Sequence, residues 1–157
     1  MIATETIHVD EKVYQRYGMD RETFLKLWLE KSTNTLVDYL DMQFVELSPD
    51  RLVMTMPVGP KTRQPFGLLH GGASVALAES AASYATMLNI DLNRQTAVGM
   101  EINANHVKSK KDGVVTAVAT PLHKGKTTMV WDIKITDEEN NLICVSRCTV
   151  AVLTKRM

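Results

Sequence analysis

At 157 residues the chain is long enough for one domain with a sizeable core and short for two. Its 18 Lys and Arg balance 18 Asp and Glu, so net charge gives neither the basic field of a nucleic-acid binder nor an acidic tail. No apolar run approaches the ~18 residues of a membrane span and no basic-then-apolar start suggests export, so a cytoplasmic protein without nucleic-acid or membrane partners is expected.

Residues 1–19 are mixed polar and read as a loosely tied arm. Asp20 is placed to cap a helix carrying Phe24, Leu27 and Trp28 at helical spacing, and Asn34 to cap a short one through Leu40. From Met42 the pattern alternates, and 43–47 and 52–56 flank Ser48-Pro49-Asp50 as a hairpin. Breakers follow at Pro65, Gly67, Gly71 and Gly72. Residues 73–88 hold no Gly or Pro and are rich in Ala, Leu and Met, which predicts a helix. Four strands are expected at 96–106, 114–121, 128–136 and 142–153, with turns at Lys111-Asp112-Gly113, His123-Lys124-Gly125 and 137–141. Cys144 and Cys148 fall in the last strand. Four residues of extended chain put them roughly 13 Å apart, too far for a disulfide, so both read as reduced core thiols.

Two strands, one long helix and four strands make an α+β domain. The helix is apolar nearly all round, and only a curved antiparallel sheet rolled about it would hide it. The division expected is an arm with short helices over 1–40 and the main domain over 41–157. Within the apolar helix stands one acid, Glu79, costly to bury unless paired or used. Gly71 opens the helix, where unpaired N–H groups and the dipole favour negative charge. Ser83 lies one turn beyond Glu79 on the same face. Residue type alone leaves open a structural acid, a turn glycine, a structural His70, a small packing serine and solubilising lysines.

Taken together, Gln64-Pro65-Phe66-Gly67, His70-Gly71-Gly72, Glu79 and Ser83 resemble the hotdog-fold acyl-CoA thioesterases. The likeness is to the 4-hydroxybenzoyl-CoA thioesterase type with its acid on the central helix, which includes the PaaI-like, 1,4-dihydroxy-2-naphthoyl-CoA and enterobactin proofreading thioesterases. Glu101-Ile102-Asn103-Ala104-Asn105-His106 and Pro121-Leu122-His123-Lys124-Gly125 resemble that group's coenzyme A-binding strands. The likeness covers about 40–153. Ser83 stands where some members have Thr, and Lys108 and Lys110 where Arg or neutral residues occur.

The resemblance implies hydrolysis of an acyl-CoA, aromatic by preference, to free acid and coenzyme A. No metal or cofactor is implied, coenzyme A being part of the substrate. Glu79 would act as nucleophile or general base. The Gly71 amide and the Gln64 side chain would hold the thioester carbonyl, with His70 and Ser83 positioning substrate, water or carboxylate. Gly99, His106, Val107, Lys108, Ser109, His123, Lys124, Gly125, Lys126, Thr127 and Thr128 would line the coenzyme A path, with Lys110 and Lys111 as further phosphate candidates. Other readings are a medium-chain fatty acyl-CoA thioesterase, a hydratase on the same fold, and a non-catalytic acyl-CoA-binding module.

Geometry adds a constraint. Eight residues along one helix separate Gly71 from Glu79 by about 12 Å, too far for both to meet one reacting carbonyl. A site shared across a two-fold homodimer is therefore expected, and the resemblance implies dimers paired into homotetramers.

Overall fold

The alternation after Met42 does build a hairpin in the computed structural model, which describes residues 4–155. Ahead of the hairpin come β1 (His8–Val9), α1 (Glu11–Gln15), α2 (Arg21–Ser32) and α3 (Leu36–Tyr39). The hairpin strands are β2 (Gln43–Ser48) and β3 (Arg51–Pro57), followed by the long helix α4 (Gly71–Met87). Four strands complete the domain: β4 (Gln95–His106), β5 (Val114–Lys124), β6 (Thr128–Thr136) and β7 (Leu142–Thr154).

The strands form one sheet in the order β1-β2-β3-β5-β6-β7-β4, which leaves β4 at an edge. Every pairing is antiparallel except that of β1 with β2, a short parallel addition. Period-2 alternation aims Met54 and Met56, Val115, Ala117 and Ala119, and Trp131, Ile133 and Ile135 into the core, all of them fully buried. The α4 helix lies across this face, touching β3 through β7, so this is the hotdog arrangement of a curved sheet on a long helix. A buried polar link ties the layers: Trp131 Nε1 donates to Thr86 Oγ1 (2.9 Å), and Thr86 donates to the Ala82 carbonyl (2.9 Å). Cys144 and Cys148 are free and buried.

Four expectations are corrected. Residues 4–19 are no loose arm: Ile7 and Val13 are buried in the same core as the sheet, and β1 pairs with β2. The short α3 is preceded by Thr35 at the cap position, while Asn34 takes a left-handed conformation (φ 60°) that asparagine tolerates. The apolar stripe of α2 is Phe24, Leu25 and Trp28, with Leu27 turned outward. And α4 is not wrapped all round. Ser74, Leu77, Ala78, Ala81, Ala82 and Ala85 face the sheet, but Val75, Ala76, Glu79, Ser83 and Tyr84 are only half-buried. One sheet has one concave face, so the opposite flank of the helix stays open.

The N-terminal segment covers the Tyr84 end of that side and leaves the Glu79 stretch open. Phe24 stacks on Trp28 (5.3 Å between centroids), Trp28 meets Tyr84 of α4 (5.4 Å), and Tyr84 meets the edge of Phe44 (4.8 Å). Burial pushes the Tyr84 phenol up from its ordinary pKa, an effect reduced by its hydrogen bond with Ser32 of α2.

Candidate active site

The start of α4 is fixed by its own cap. His70 has extended backbone, and its Nδ1 accepts the Gly72 N–H (2.8 Å) while its carbonyl accepts from Ala73 (3.0 Å) and Ser74 (3.2 Å). As an acceptor, Nδ1 carries no proton, so the ring N–H sits at Nε2. His70 thus has a structural task, a reading that residue type left open without naming the cap. Among the described residues no acceptor takes up the Gly71 N–H, which is left at the helix N-terminus as the donor expected there.

The preceding loop folds on itself around Gln64. Its N–H donates to the Leu68 carbonyl (2.8 Å), its carbonyl accepts from Gly67 (2.9 Å), and its Oε1 accepts from the Phe66 N–H. Gly67 takes φ 79°, a value that needs glycine here. With Oε1 engaged, the amide NH₂ of Gln64 is the end free to donate. Gln64, Gly71, His106, Val107, Lys108 and Ser109 all line one cavity of about 310 Å³. The His106 ring covers Gly71 closely, since a Cβ there would stand 2.8 Å from His106 Nε2.

Glu79 and Ser83 open elsewhere, into a groove of about 480 Å³ shared with Leu36, Val75, Ala76 and Tyr84. The acid is half-buried in the chain rather than enclosed as the apolar helix suggested. Gly99 lies directly behind it. The register of β4 on β7 shifts between Gly99 and Glu101, and the bulge brings bare backbone against the carboxylate. A Cβ at Gly99 would run into Glu79 Oε1 and stand 3.3 Å from Cδ. What approaches Gly99 closely is therefore the acid itself. The Cys148 thiol is pushed up to about 12, first by burial and then by the charges of Glu79 and Glu101, so it stays protonated behind the acid.

The remaining candidates lie at the far end of α4. The Gly125 N–H donates to the Thr128 carbonyl (2.9 Å), closing the turn between β5 and β6, and the Val152 N–H donates to the Thr127 carbonyl (2.8 Å). Lys124 pairs with Asp50 and reaches Asn89 Oδ1 (3.3 Å), just past the helix C-terminus, whereas His123 and Lys126 are exposed. One chain therefore does not join this turn to His106, Lys108 and Ser109. The Lys110 ammonium, a further phosphate candidate, is paired with Glu138 (2.5 Å). Sequence reasoning missed Tyr84 and Leu36 in the Glu79 groove. Tyr84 was within reach, being next to Ser83 on the exposed stripe, but Leu36 arrives by a tertiary route.

Comparisons with known proteins agree with this architecture. Residues 66–144 match the family model described as Thioesterase superfamily. The chain is 52% identical over 118 residues to the 1,4-dihydroxy-2-naphthoyl-CoA hydrolase of Escherichia coli K12, covering 75% of this chain and 86% of that protein. It is 45% identical over 122 residues to the proofreading thioesterase EntH of Cronobacter turicensis, covering 78% and 88%. The crystal structure of a mutant thioesterase from Pseudomonas aeruginosa superposes with a TM-score of 0.80 at 42% identity, covering 83% of this chain and 94% of that one. With half its length matched by the family model and a hotdog fold built around α4, the chain belongs to the thioesterase superfamily and is a thioester hydrolase.

Proposed function

We propose that the chain hydrolyses an aromatic acyl-CoA at two sites shared across a two-fold dimer. The observation that carries this reading is the separation of two halves of one chemistry. The carbonyl donors Gly71 and Gln64 open to one cavity, and Glu79 with Ser83 opens to another. Along one helix they are about 12 Å apart, whereas two antiparallel copies of α4 would set the donors of one beside the acid of the other. The uncovered flank of α4 and the free β4 edge, with Val98 46% and Met100 65% exposed, are surfaces such pairing would bury. Dimers paired into a homotetramer are part of the same reading.

In that site the Gly71 N–H and the Gln64 amide hold the thioester carbonyl and the charge that develops on it. Glu79 attacks the carbonyl carbon or removes a proton from the attacking water, and Ser83 orients the carboxylate or that water. The C–S bond breaks and coenzyme A leaves as a thiol with a proton that water supplies; where Glu79 itself attacks, water then cleaves the acyl–Glu79 anhydride, freeing the acid and restoring the carboxylate. Lys108 and Lys126, both exposed, are point charges suited to the nucleotide phosphates. The aromatic preference is supported by Leu36, Val75 and Tyr84 around the acid, and by the naphthoyl-CoA hydrolase among the relatives.

A thiol-release assay over a panel of aromatic and medium-chain acyl-CoA thioesters tests the reading. Aromatic substrates should give the highest kcat/KM, and Glu79→Ala should lower kcat by about 10²–10⁴-fold. A fatty acyl optimum would overturn the substrate class, and full activity in Glu79→Ala would overturn the role of the acid.

A further inference from the structure

The cavity beside Gly71 owes one wall to segment 107–113, a loop with no regular structure of its own. Hydrogen bonds to its backbone hold it along its length. The Val107 N–H donates to the Ile143 carbonyl (2.9 Å), the Leu69 N–H to the Lys110 carbonyl (2.7 Å), Arg63 Nε to the Lys111 carbonyl (2.7 Å), and the Val58 N–H to the Gly113 carbonyl (2.8 Å). Arg63 and Leu69 flank the Gln64 loop, so the two walls of the cavity lean on each other. A further contact comes from a side chain on another turn. Glu138, on the turn between β6 and β7, accepts from Lys110 Nζ through Oε2 (2.5 Å) and from the Val114 N–H through Oε1 (2.6 Å). Gly113, at φ 80°, leaves room for this carboxylate, because a Cβ there would collide with Oε1. The pair of hydrogen bonds spans the loop from Lys110 to its exit into β5.

We propose that Glu138 is a positioning residue: bridging Lys110 and Val114, it sets segment 107–113 so that Lys108 and Ser109 meet the coenzyme A moiety. The inference rests on the reading of this cavity as a coenzyme A site. Two observations assign the bridge to placement rather than to stability. The Glu138 side chain is 48% exposed against 17% for Lys110, and an ion pair whose carboxylate stands open to solvent adds little to folding. Its two acceptor atoms also go to two ends of one loop, which is the geometry of a clasp. The Lys110 ammonium holds the Glu138 carboxyl down at about 2, followed by backbone hydrogen bonds, so the bridge is fully ionised in any ordinary assay.

The test compares benzoyl-CoA with benzoyl-pantetheine, which lacks the nucleotide and its phosphates, in wild type, Glu138→Gln, Glu138→Ala and Lys108→Ala. Glu138→Gln should raise KM for benzoyl-CoA roughly three- to tenfold and leave kcat and the pantetheine KM unchanged. Glu138→Ala, which also strips the acceptor from Val114, should raise it further, and the Kd for coenzyme A by calorimetry should follow. Equal effects on both substrates, or none while Lys108→Ala still discriminates between them, would overturn the positioning role. If Lys108→Ala fails to discriminate, the coenzyme A reading of this cavity falls, and the proposal with it.

Discussion

Glu79 and Gly99 show how one residue's identity can be written by another's chemistry. Glycine in a strand interior weakens it, and here the β4 bulge and the missing Cβ are what let the carboxylate rest against backbone. Gly99→Ala should therefore displace Glu79 without touching any group that reacts. A misplacement of about 1 Å costs on the order of 10² in rate, so kcat should fall by that much with the secondary structure intact. Circular dichroism and steady-state kinetics on the variant check this, and unchanged kcat would separate Gly99 from the acid. The lysines carry the opposite lesson. Lys110 and Lys124 look like Lys108 in sequence, yet one is held by Glu138 and the other pairs with Asp50.

At the scale of elements, α4 is held by its own cap at one end and by chain remote in sequence at the other. Its N-terminus has the His70 cap, and its C-terminal carbonyls are met by the N-terminal segment. Arg16 Nη1 donates to the Leu88 carbonyl (3.1 Å), and the Tyr17 hydroxyl donates to the Ile90 carbonyl (3.2 Å). A cation and a donor at that end also suit the helix dipole. Burial pushes the Tyr17 phenol up, so it keeps its proton and its donor role well above neutral pH. Tyr17→Phe should cost about 1 kcal/mol and lower Tm by roughly 2–4 °C at fixed protein concentration. Calorimetry reads the shift directly, and an unchanged Tm would leave the ends of α4 independent of the arm.

At the scale of the whole molecule, the open flank of α4 and the two separate cavities make the proposed dimer a statement about activity. A Glu79→Ala chain keeps its carbonyl donors, and a Gly71→Val chain, crowded by His106, keeps its acid. Each homodimer should be inactive. Mixed by co-refolding, the two should recover about a quarter of wild-type activity, since random pairing makes half the dimers mixed, each with one intact site. No recovery in verified mixed dimers would place the whole reaction within one chain.

Much of this was legible in the chain itself. The alternating stretches, the breakers before Gly71 and the Ala-rich run announced a sheet and a helix, because periodicity is a local property that burial then exploits. The acid at position 79 and the glycine at 71 stood out for the same reason, each being costly or special where it sits. The tertiary structure decided what depends on distance through space: that Gly99 serves Glu79, that His70 caps a helix, that Lys110 belongs to Glu138, and that residues 4–19 join the core. No local pattern specifies such partners, since a side chain's charge or shape is visible in sequence while the group that meets it is chosen only when the sheet closes over α4.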